Sequence, residues 1–393
     1  MRVFGLNHLS RKVPELLMKE IENKYDPDKW DWVPAKPEKI KNIIKIVDEE
    51  KKSVRFAAIT NYQPKEEKQS LVLMFYMGNL NYGLLKNLEE EGIKYFFIDY
   101  PQLILQGKVS IILDESQSKK LIRVGDLEAD LEDVKIVLWN PPRFPNPIFD
   151  WDVIPKKRGR NAYLFRKRWM QFLRDLQHLI PQDAKWIPGN VFSGSQEWQN
   201  KVGEYFLAKK IGFKVPPIIC TNDIDELKRF ASNHGSTLLL REFSTPPFSF
   251  PPIKVNIDKT SLKFLKNAPC CFQKYIEKIF ELRIIVLFDK IFPCKIYSQD
   301  SELARYDWRV HDDAKVKWEL TELPTEVKQN LIEMRKKLGL NWISVDMIFA
   351  TDKQYYFLEA NRPGAHYWLD LFIGLDITEK IVNEIKMILR PSF

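Results

Sequence analysis

The residues best suited to chemistry lie near the C-terminal end of the chain. Asp346 lies inside the apolar segment ISVDMIF, and Glu359 and Asn361 end the segment YYFLEAN. On a strand, residues two apart project to the same face, so Glu359 and Asn361 would share one. Asp346 joins them if the two segments pair as a hairpin. Two carboxylates and an amide oxygen form an all-oxygen donor set, which predicts a Mg²⁺ site rather than a Zn²⁺ site.

A purely structural interpretation of the same residues stays open. An acidic residue inside an apolar strand is destabilising unless it is paired or bound to a metal. Asp346 could therefore accept a hydrogen bond from a neighbouring side chain, and Glu359 could be an ordinary charge at a strand end.

Four cations upstream of these residues fall where they could hold a polyphosphate. They are Lys201, Arg241, Arg283 and Arg309. Glu281 lies two residues before Arg283, and Asp307 lies two residues before Arg309. A single such cation is more often part of a surface ion pair. Four of them, ahead of an all-oxygen donor set, favour the binding of ATP with Mg²⁺.

Composition narrows the class of protein. The 393 residues include 61 Lys and Arg against 53 Asp and Glu, a net charge of +8, and 45% of them are hydrophobic. This composition is typical of a folded globular protein and excludes disorder throughout and a disulfide scaffold. The mild positive charge suits an anionic ligand, but nucleic acid is not expected as a partner. The sequence contains no G-x-S-x-G, GxxxxGK[ST] or GxGxxG pattern.

A basic stretch lies in the middle of the chain, between Val153 and Arg174. It contains eight basic residues and no acidic one. The basic residues are Lys156, Lys157, Arg158, Arg160, Arg166, Lys167, Arg168 and Arg174. Apolar residues recur at helical spacing in its second half, so the stretch is either a solvated helix face or a contact surface for an acidic partner.

Cysteine content and hydropathy indicate the compartment. The cysteines are Cys220, Cys270, Cys271 and Cys294. Because they form no CxxC pair and lack a His at zinc-ligand spacing, we predict reduced thiols in a cytoplasmic protein. The longest apolar run, Leu71–Met77, is far shorter than the ~20 residues of a membrane helix, so no membrane association is expected. The N-terminal residues do not match a secretory signal.

The predicted elements place the candidate residues on strand ends and helix starts. In residues 1–68, isoleucines partly at helical spacing predict an extra helix, or a docking segment for a partner. Leu71–Met77, Tyr82–Glu91 and Tyr95–Ile98 read as strand, helix and strand, which predicts a parallel sheet. The remaining predictions are a hairpin at 109–124, helices at 166–179, 201–210, 326–338 and 377–389, strands near 218–221, 238–240, 272–276, 282–288 and 291–297, a helix capped by Asn222 or Asp223, and a hairpin at 342–359.

The order of the candidate residues resembles that of the ATP-grasp fold. More narrowly, the chain is similar to the graspetide, or microviridin-type, ATP-grasp peptide maturases, from about residue 71 to residue 389. The segments that carry the resemblance are NKVGEYFLAKKIGFKVPPIICTND, FQKYIEKIFELRIIVLFDKIFPCKIYSQ, ARYDWR, LGLNWISVDMIF and YYFLEANRPGAHYWL.

The resemblance implies a fold and a domain order. The fold class is α/β with α+β lids, an ATP-grasp fold with an N-terminal pre-ATP-grasp β-α-β domain. The expected parts are an N-terminal extension at 1–68, the pre-ATP-grasp domain at 69–150, the basic helical segment and first lid at 151–270, and the C-terminal domain with the Mg/ATP site at 271–393.

The resemblance also implies residue roles. The metal ligands would be Asp346, Glu359 and Asn361. The nucleotide-binding residues would be Lys201, Arg241, Gln273, Lys274, Tyr275, Ile276 and Glu281. The catalytic residues would be Arg283, Arg309 and Asp307. Arg241 stands where the fold usually has lysine. Arg283 and Arg309 would meet the phosphates or the substrate carboxylate, and Asp307 would orient Arg309.

The implied function is an ATP-dependent ligase that uses ATP and Mg²⁺. It would activate Asp or Glu side chains of an acidic ribosomal precursor peptide, with leader and core, and close ester or amide cross-links. The protein would be cytoplasmic, and a homodimer is a further expectation. Two alternatives stay open: an ATP-grasp ligase that adds a free amino acid to a protein or small molecule, and a non-catalytic module that binds an acidic peptide or nucleic acid.

Overall fold

The structure is a computed structural model, and its description covers most of the chain. The described residues are 43–48, 53–58, 70–75, 80–98, 107–113, 118–124, 127–139, 162–189, 201–241, 252–262, 265, 267–300, 316–361, 369–370 and 373–390. They divide into two compact units, one within Val13–Gly194 and Asp376–Phe393, the other within Ser195–Leu375.

The bounds of the elements are as follows. In the first unit the strands are β1 Ile43–Asp48, β2 Ser53–Ala58, β3 Leu71–Phe75, β4 Tyr95–Ile98, β5 Gly107–Leu113, β6 Ser118–Val124, β7 Leu127–Asp130, β8 Val134–Leu138 and β9 Lys185–Ile187, and the helices α1 Leu80–Glu90 and α2 Ala162–Leu179. In the second unit the strands are β10 Ile218–Thr221, β11 Thr237–Arg241, β12 Ile253–Asn256, β13 Cys270–Lys274, β14 Lys278–Leu287, β15 Lys290–Ile296, β16 Trp318–Leu320, β17 Trp342–Ala350 and β18 Tyr355–Asn361, and the helices α3 Lys201–Ile211, α4 Ile224–His234 and α5 Thr325–Lys337. The closing helix, α6 Ile377–Leu389, belongs to the first unit.

A parallel sheet with strand order β4-β3-β8-β9 forms the centre of the first unit. Every residue of β3 and β4 is buried, as is usual for parallel strands that are covered on both faces. Gly92 ends the turn after α1 with a φ of 64°, a conformation that glycine adopts without steric cost. The predicted β-α-β unit is therefore confirmed.

The N-terminal prediction of a helix is wrong for the residues that the structure describes. β1 and β2 pair antiparallel, with Ile43 opposite Ala58 and Asp48 opposite Ser53. The β-branched residues Ile43, Ile44, Ile46 and Val47 favour a strand over a helix, and this preference outweighs their partly helical spacing. The predicted hairpin at 109–124 is confirmed by the antiparallel pairing of β5 with β6, to which β7 adds.

The second unit contains two antiparallel sheets. The first has strand order β10-β13-β11-β12, and α4 packs on it through the buried Leu227 and Ala231. Asp223 caps α4, as predicted, by accepting hydrogen bonds from the backbone N–H groups of Asp225 and Glu226 at 2.8 and 3.2 Å. One face of the sheet is therefore apolar and packs against α4. Strand β11 of the same sheet ends at Arg241, one of the predicted cations.

The prediction that every cysteine is a reduced thiol is wrong for two of the four. Cys220 and Cys271 form a disulfide, because they lie directly opposite each other on β10 and β13. The two strands are far apart in sequence, so no local pattern indicates the pair. Cys270 and Cys294 carry thiols.

The second sheet of this unit has strand order β16-β15-β14-β17-β18 and carries the acidic candidates. Its core face, with Ile284, Val345 and Phe357, packs against α3 and α5 through Ala208 and Leu331. The hairpin β17–β18 was predicted from the sequence and is confirmed. The predicted boundary between the parts 151–270 and 271–393 falls inside the unit 195–375. Strand β13 begins at residue 270 and continues across this boundary.

Candidate active site

The hairpin β17–β18 brings Asp346, Glu359 and Asn361 together. Asp346 pairs directly with Glu359 across the hairpin, and Ser344 pairs with Asn361. The Asn361 Nδ2 donates to Asp346 Oδ2 and to Glu359 Oε1, both at 3.1 Å. These three residues, called the oxygen trio below, therefore occupy one face of the sheet. Their role as metal ligands stays a prediction.

Each carboxylate of the oxygen trio has a basic neighbour. Arg283 lies opposite Asp346 on β14, and its Nη1 donates to Asp346 Oδ1 at 2.8 Å. Lys201, in the first turn of α3, has its Nζ at 3.5 Å from Glu359 Oε2. Two of the predicted phosphate-binding cations thus converge on the trio from different elements.

The electrostatics of the oxygen trio suit a cation. Burial raises the pKa of the Asp346 carboxyl to about 6, the Arg283 guanidinium opposes this rise, and the Glu359 carboxylate adds to it. A divalent cation between the two carboxylates would relieve their repulsion, and carboxylate and amide oxygens are donors that Mg²⁺ accepts. Among the described residues no group of three His, Cys, Asp or Glu is placed to hold a metal, so a donor set at this position would have to include the Asn361 amide.

Arg241 is held by a chain of hydrogen bonds that begins on α3. Its Nη1 donates to Gln273 Oε1 at 3.0 Å, and Gln273 Nε2 donates to the Tyr205 hydroxyl at 3.2 Å. Gln273 and Tyr205 are buried. The pKa of Tyr205 is raised chiefly by this burial, so its hydroxyl stays protonated. These hydrogen bonds direct the Arg241 guanidinium from the end of β11 into the cleft beside the trio.

A cleft joins these residues to the predicted adenine segment. Its lining residues are Pro216, Leu239, Arg241, Pro252, Gln273, Lys274, Tyr275, Ile276, Lys278, Glu281, Asp346, Ile348, Leu358 and Glu359. The predicted nucleotide residues 241, 273–276 and 281 and two members of the oxygen trio therefore line one cleft. Backbone groups that follow β13 and apolar side chains such as Leu239 and Ile348 suit a planar base.

Lys278 is a cleft residue that the sequence did not indicate. Its Nζ is 2.9 Å from Glu281 Oε1, and both side chains are at most 10% exposed. Residues three apart on a regular strand face opposite sides, but the pairing of β14 with β17 shifts between Lys278 and Phe280. This irregularity turns the Lys278 side chain to the face of the sheet that carries Glu281. No pattern in the sequence predicts the irregularity.

Glu204 and Tyr205 were also not singled out from the sequence. Together with Lys201 they lie at spacings of three and four residues on α3, so they share one helix face. Glu204 is 4% exposed and its Oε2 accepts from the backbone N–H of Ala360 at 3.3 Å. A charged residue among the buried positions of an amphipathic helix is the signal that could have found it.

Several predicted residues lie outside the described part of the chain. These are Arg309 and Asp307 and the basic residues 156, 157, 158 and 160. The helix predicted in the basic stretch is confirmed as α2, on which Arg168 is exposed. None of the helices in the described ranges is long and apolar enough to cross a membrane.

Comparison with known proteins identifies the class. No protein-family model and no curated protein matches the chain. Among solved structures, the chain is similar to a RiPP-associated ATP-grasp ligase of Chryseobacterium gregarium in complex with ADP and a leader and core peptide, with a TM-score of 0.69, 25% identity, and coverage of 82% of this chain and 98% of that one. The fold is that of the ATP-grasp ligases, as predicted.

Two further structures agree with this assignment. The macrocyclase MdnC of Microcystis aeruginosa, bound with precursor peptide MdnA, has a TM-score of 0.67 at 23% identity, over 82% of this chain and 100% of that one. The ATP-grasp ligase PsnB, complexed with a minimal precursor, Mg and ADP, has a TM-score of 0.63 at 16% identity, over 84% of this chain and 100% of that one. The resemblance stated from the sequence is thus confirmed: the similar structures are ATP-grasp enzymes that bind precursor peptides, and their ligands agree with the predicted ATP and Mg²⁺.

Proposed function

We propose that the protein is an ATP-dependent ligase that activates Asp or Glu side chains of a ribosomal precursor peptide and closes ester or amide cross-links. The observation that carries the proposal is the convergence of the oxygen trio, Arg283 and Lys201 beside a cleft lined by Arg241 and residues 273–276. Oxygen donors for a metal and cations for phosphates are the groups that phosphoryl transfer requires.

In this proposal, different residues of the cleft bind different parts of ATP. Backbone groups of Gln273–Ile276 would contact the adenine, and Glu281 would accept from a ribose hydroxyl. Arg241 and Lys201 would hold phosphate oxygens, because each ends or begins an element beside the cleft. The oxygen trio would hold Mg²⁺, which neutralises charge on the phosphates when it is bound.

The chemistry needs no nucleophile from the protein. A substrate carboxylate oxygen attacks the γ-phosphorus of ATP, the bond to the β-phosphate oxygen breaks, and ADP leaves. A hydroxyl or amine of the same peptide then attacks the acyl phosphate carbon and expels phosphate, with loss of its proton. Arg283, fixed by Asp346, would stabilise negative charge during these steps, and Arg309, oriented by Asp307, would position the carboxylate.

The finer expectations belong to the same proposal. An acidic core peptide is supported by the net charge of +8 and by the basic stretch. A cytoplasmic location is supported by the need for ATP and for a ribosomal peptide. A homodimer is the expected oligomeric state, and the mass of the protein in solution tests this expectation.

The test is co-expression with candidate acidic peptides, followed by mass spectrometry of the peptide. Wild type should remove about 18 Da, one water, for each bond that forms through an acyl phosphate. Glu359→Gln should abolish the loss, whereas Glu322→Gln, at a carboxylate exposed on the surface, should leave it unchanged. A gain of one amino-acid residue would instead support the free-amino-acid ligase, and ATP binding without turnover would support the non-catalytic module.

A further inference from the structure

The end of β18 that carries Glu359 and Asn361 lies at the edge of its sheet. Among the described strands, β18 lies at the edge of its sheet, next to β17. The N–H groups on the outer side of such a strand find no partner in the sheet, and in a buried location they need another acceptor. The acceptors that these outward N–H groups find determine how firmly the end of β18 is fixed in place.

Two different groups cover this edge. The backbone N–H of Phe357 donates to the Lys214 carbonyl at 2.9 Å, and Lys214 forms a parallel bridge with Tyr356. The next outward N–H belongs to Ala360, three residues on rather than two, because the pairing with β17 shifts between Asp346 and Met347. This N–H donates to the Glu204 side chain at 3.3 Å.

Ala360 is the residue between the two proposed ligands on β18. Its side chain is fully buried in the core, and its neighbours Glu359 and Asn361 project to the opposite face. A rotation of the peptide at Ala360 would therefore move both ligand side chains away from Asp346. The contact between Glu204 and the Ala360 N–H, called the edge contact below, restrains this rotation.

We propose that Glu204 is a positioning residue that sets the geometry of the metal site through the backbone of Ala360. The inference rests on the proposed function only in taking the oxygen trio as the metal site. Glu204 touches neither the metal nor the nucleotide in this scheme. Lys201, one turn earlier on α3, contacts the Glu359 side chain, so the same helix face restrains both a ligand and the backbone that carries it.

The test compares three substitutions that separate contact from charge. Glu204→Gln keeps an acceptor oxygen at the same reach but removes the charge. Glu204→Asp keeps the charge, but its side chain is one methylene shorter. Glu204→Leu has neither the charge nor an acceptor oxygen. Glu384→Leu, which replaces another buried glutamate on a helix of the first unit, is the matched control for general loss of stability.

Two measurements report on the contact without relying on peptide modification. Hydrogen exchange of the Ala360 amide reports the edge contact directly, and Mn²⁺ titration by electron paramagnetic resonance, in the presence of ADP, reports the metal affinity. We expect Leu and Asp to speed the exchange and to weaken Mn²⁺ binding by about 10- to 100-fold, the usual effect of losing a group that orients a metal ligand. Gln should behave as wild type, and ADP affinity without metal should not change in any variant.

Two outcomes would overturn the inference. Wild-type Mn²⁺ affinity in both Leu and Asp would show that the edge contact does not position the ligands. Equal weakening in Gln and Leu would assign the effect to charge rather than to the hydrogen bond. Should Leu fail to fold, the comparison of Gln with Asp decides. Failure of the wild type to modify any peptide would overturn the proposed function while leaving these binding results valid.

Discussion

Tyr205 links α3, the helix that contacts the oxygen trio, to Gln273 and Arg241 in the lining of the cleft. Its hydroxyl accepts from Gln273, which in turn accepts from Arg241, while its ring packs edge-on against Phe357 at 6.3 Å between centroids. The residue therefore combines a packing role with a polar role that a single atom carries. The two roles can be separated by removing that atom alone.

We expect Tyr205→Phe to raise the KM for ATP several-fold with little change in kcat, because Gln273 loses a partner that fixes its side chain for Arg241. Loss of one buried hydrogen bond should lower the free energy of unfolding by about 1 kcal/mol. Steady-state kinetics of ADP release and denaturant unfolding measure the two effects. Tyr356→Phe, which removes an exposed hydroxyl bond to Asp352, is the control and should be silent. An unchanged KM in Tyr205→Phe would contradict the relay.

The buried ion pair between Lys278 and Glu281 allows the effect of an uncompensated charge at the cleft on the free energy of unfolding to be measured. Lys278→Met should lower the free energy of unfolding by about 3 kcal/mol, because it leaves the Glu281 carboxylate buried without this cation. The double variant Lys278→Met/Glu281→Leu should be more stable than the single variant, since neither charge remains. Equal stability of the single and double variants, measured by urea unfolding, would show that the carboxylate is compensated elsewhere.

At the scale of elements, strands β10 and β13 are joined by a covalent bond as well as by their hydrogen bonds. The disulfide between Cys220 and Cys271 closes a loop of 51 residues that contains α4, β11 and β12. Because β13 contributes Gln273 and Lys274 to the lining of the cleft, the bond also ties a cleft-lining strand to its neighbour.

We expect reduction by dithiothreitol to lower the free energy of unfolding by up to about 4 kcal/mol, from the entropy that the unfolded chain regains when a loop of this length opens. Cys220→Ser should produce the same loss and make the protein insensitive to reductant. Cys270→Ser changes the adjacent thiol and should retain the response. Insensitivity of the wild type to reductant in urea unfolding would mean that the bond does not form in solution.

At the scale of the whole molecule, the net charge of +8 is unevenly distributed, and the basic stretch gathers eight positive residues without an acidic one. The part of the stretch on α2 exposes Arg168. A polyanionic peptide would be attracted to such a surface at a range set by ionic strength.

Reversal of Lys167 and Arg168 to Glu should weaken binding of an acidic peptide and flatten its salt dependence, because fewer opposite charges then face each other. Affinity for ATP should stay the same. The same double reversal at Lys336 and Lys337, which are exposed at the end of α5, provides the control for net charge. If both pairs of reversals weaken binding equally at low salt, then the basic stretch is only a solvated face.

The sequence by itself predicted many of the helices and strands, and it placed the three residues of the oxygen trio on one hairpin. Two apolar segments joined by the short turn 350–353 predict the hairpin at 342–359, and the spacing of two between Glu359 and Asn361 places them on one face without further information. The β-α-β unit at 71–98 follows from local periodicity in the same way. Such features depend on residues that are close along the chain, so the chain's own pattern suffices to predict them.

Only the tertiary structure decided which distant residues meet. The Cys220–Cys271 bond, the turn of Lys278 toward Glu281 and the contact of Glu204 with Ala360 each depend on strand register or on the packing of α3 against an edge. A shift of one residue in register reverses the face of every side chain on a strand, and irregular pairings cause such shifts without a sequence signature. Residues 51 and 156 positions apart are therefore brought together by packing that no local pattern records.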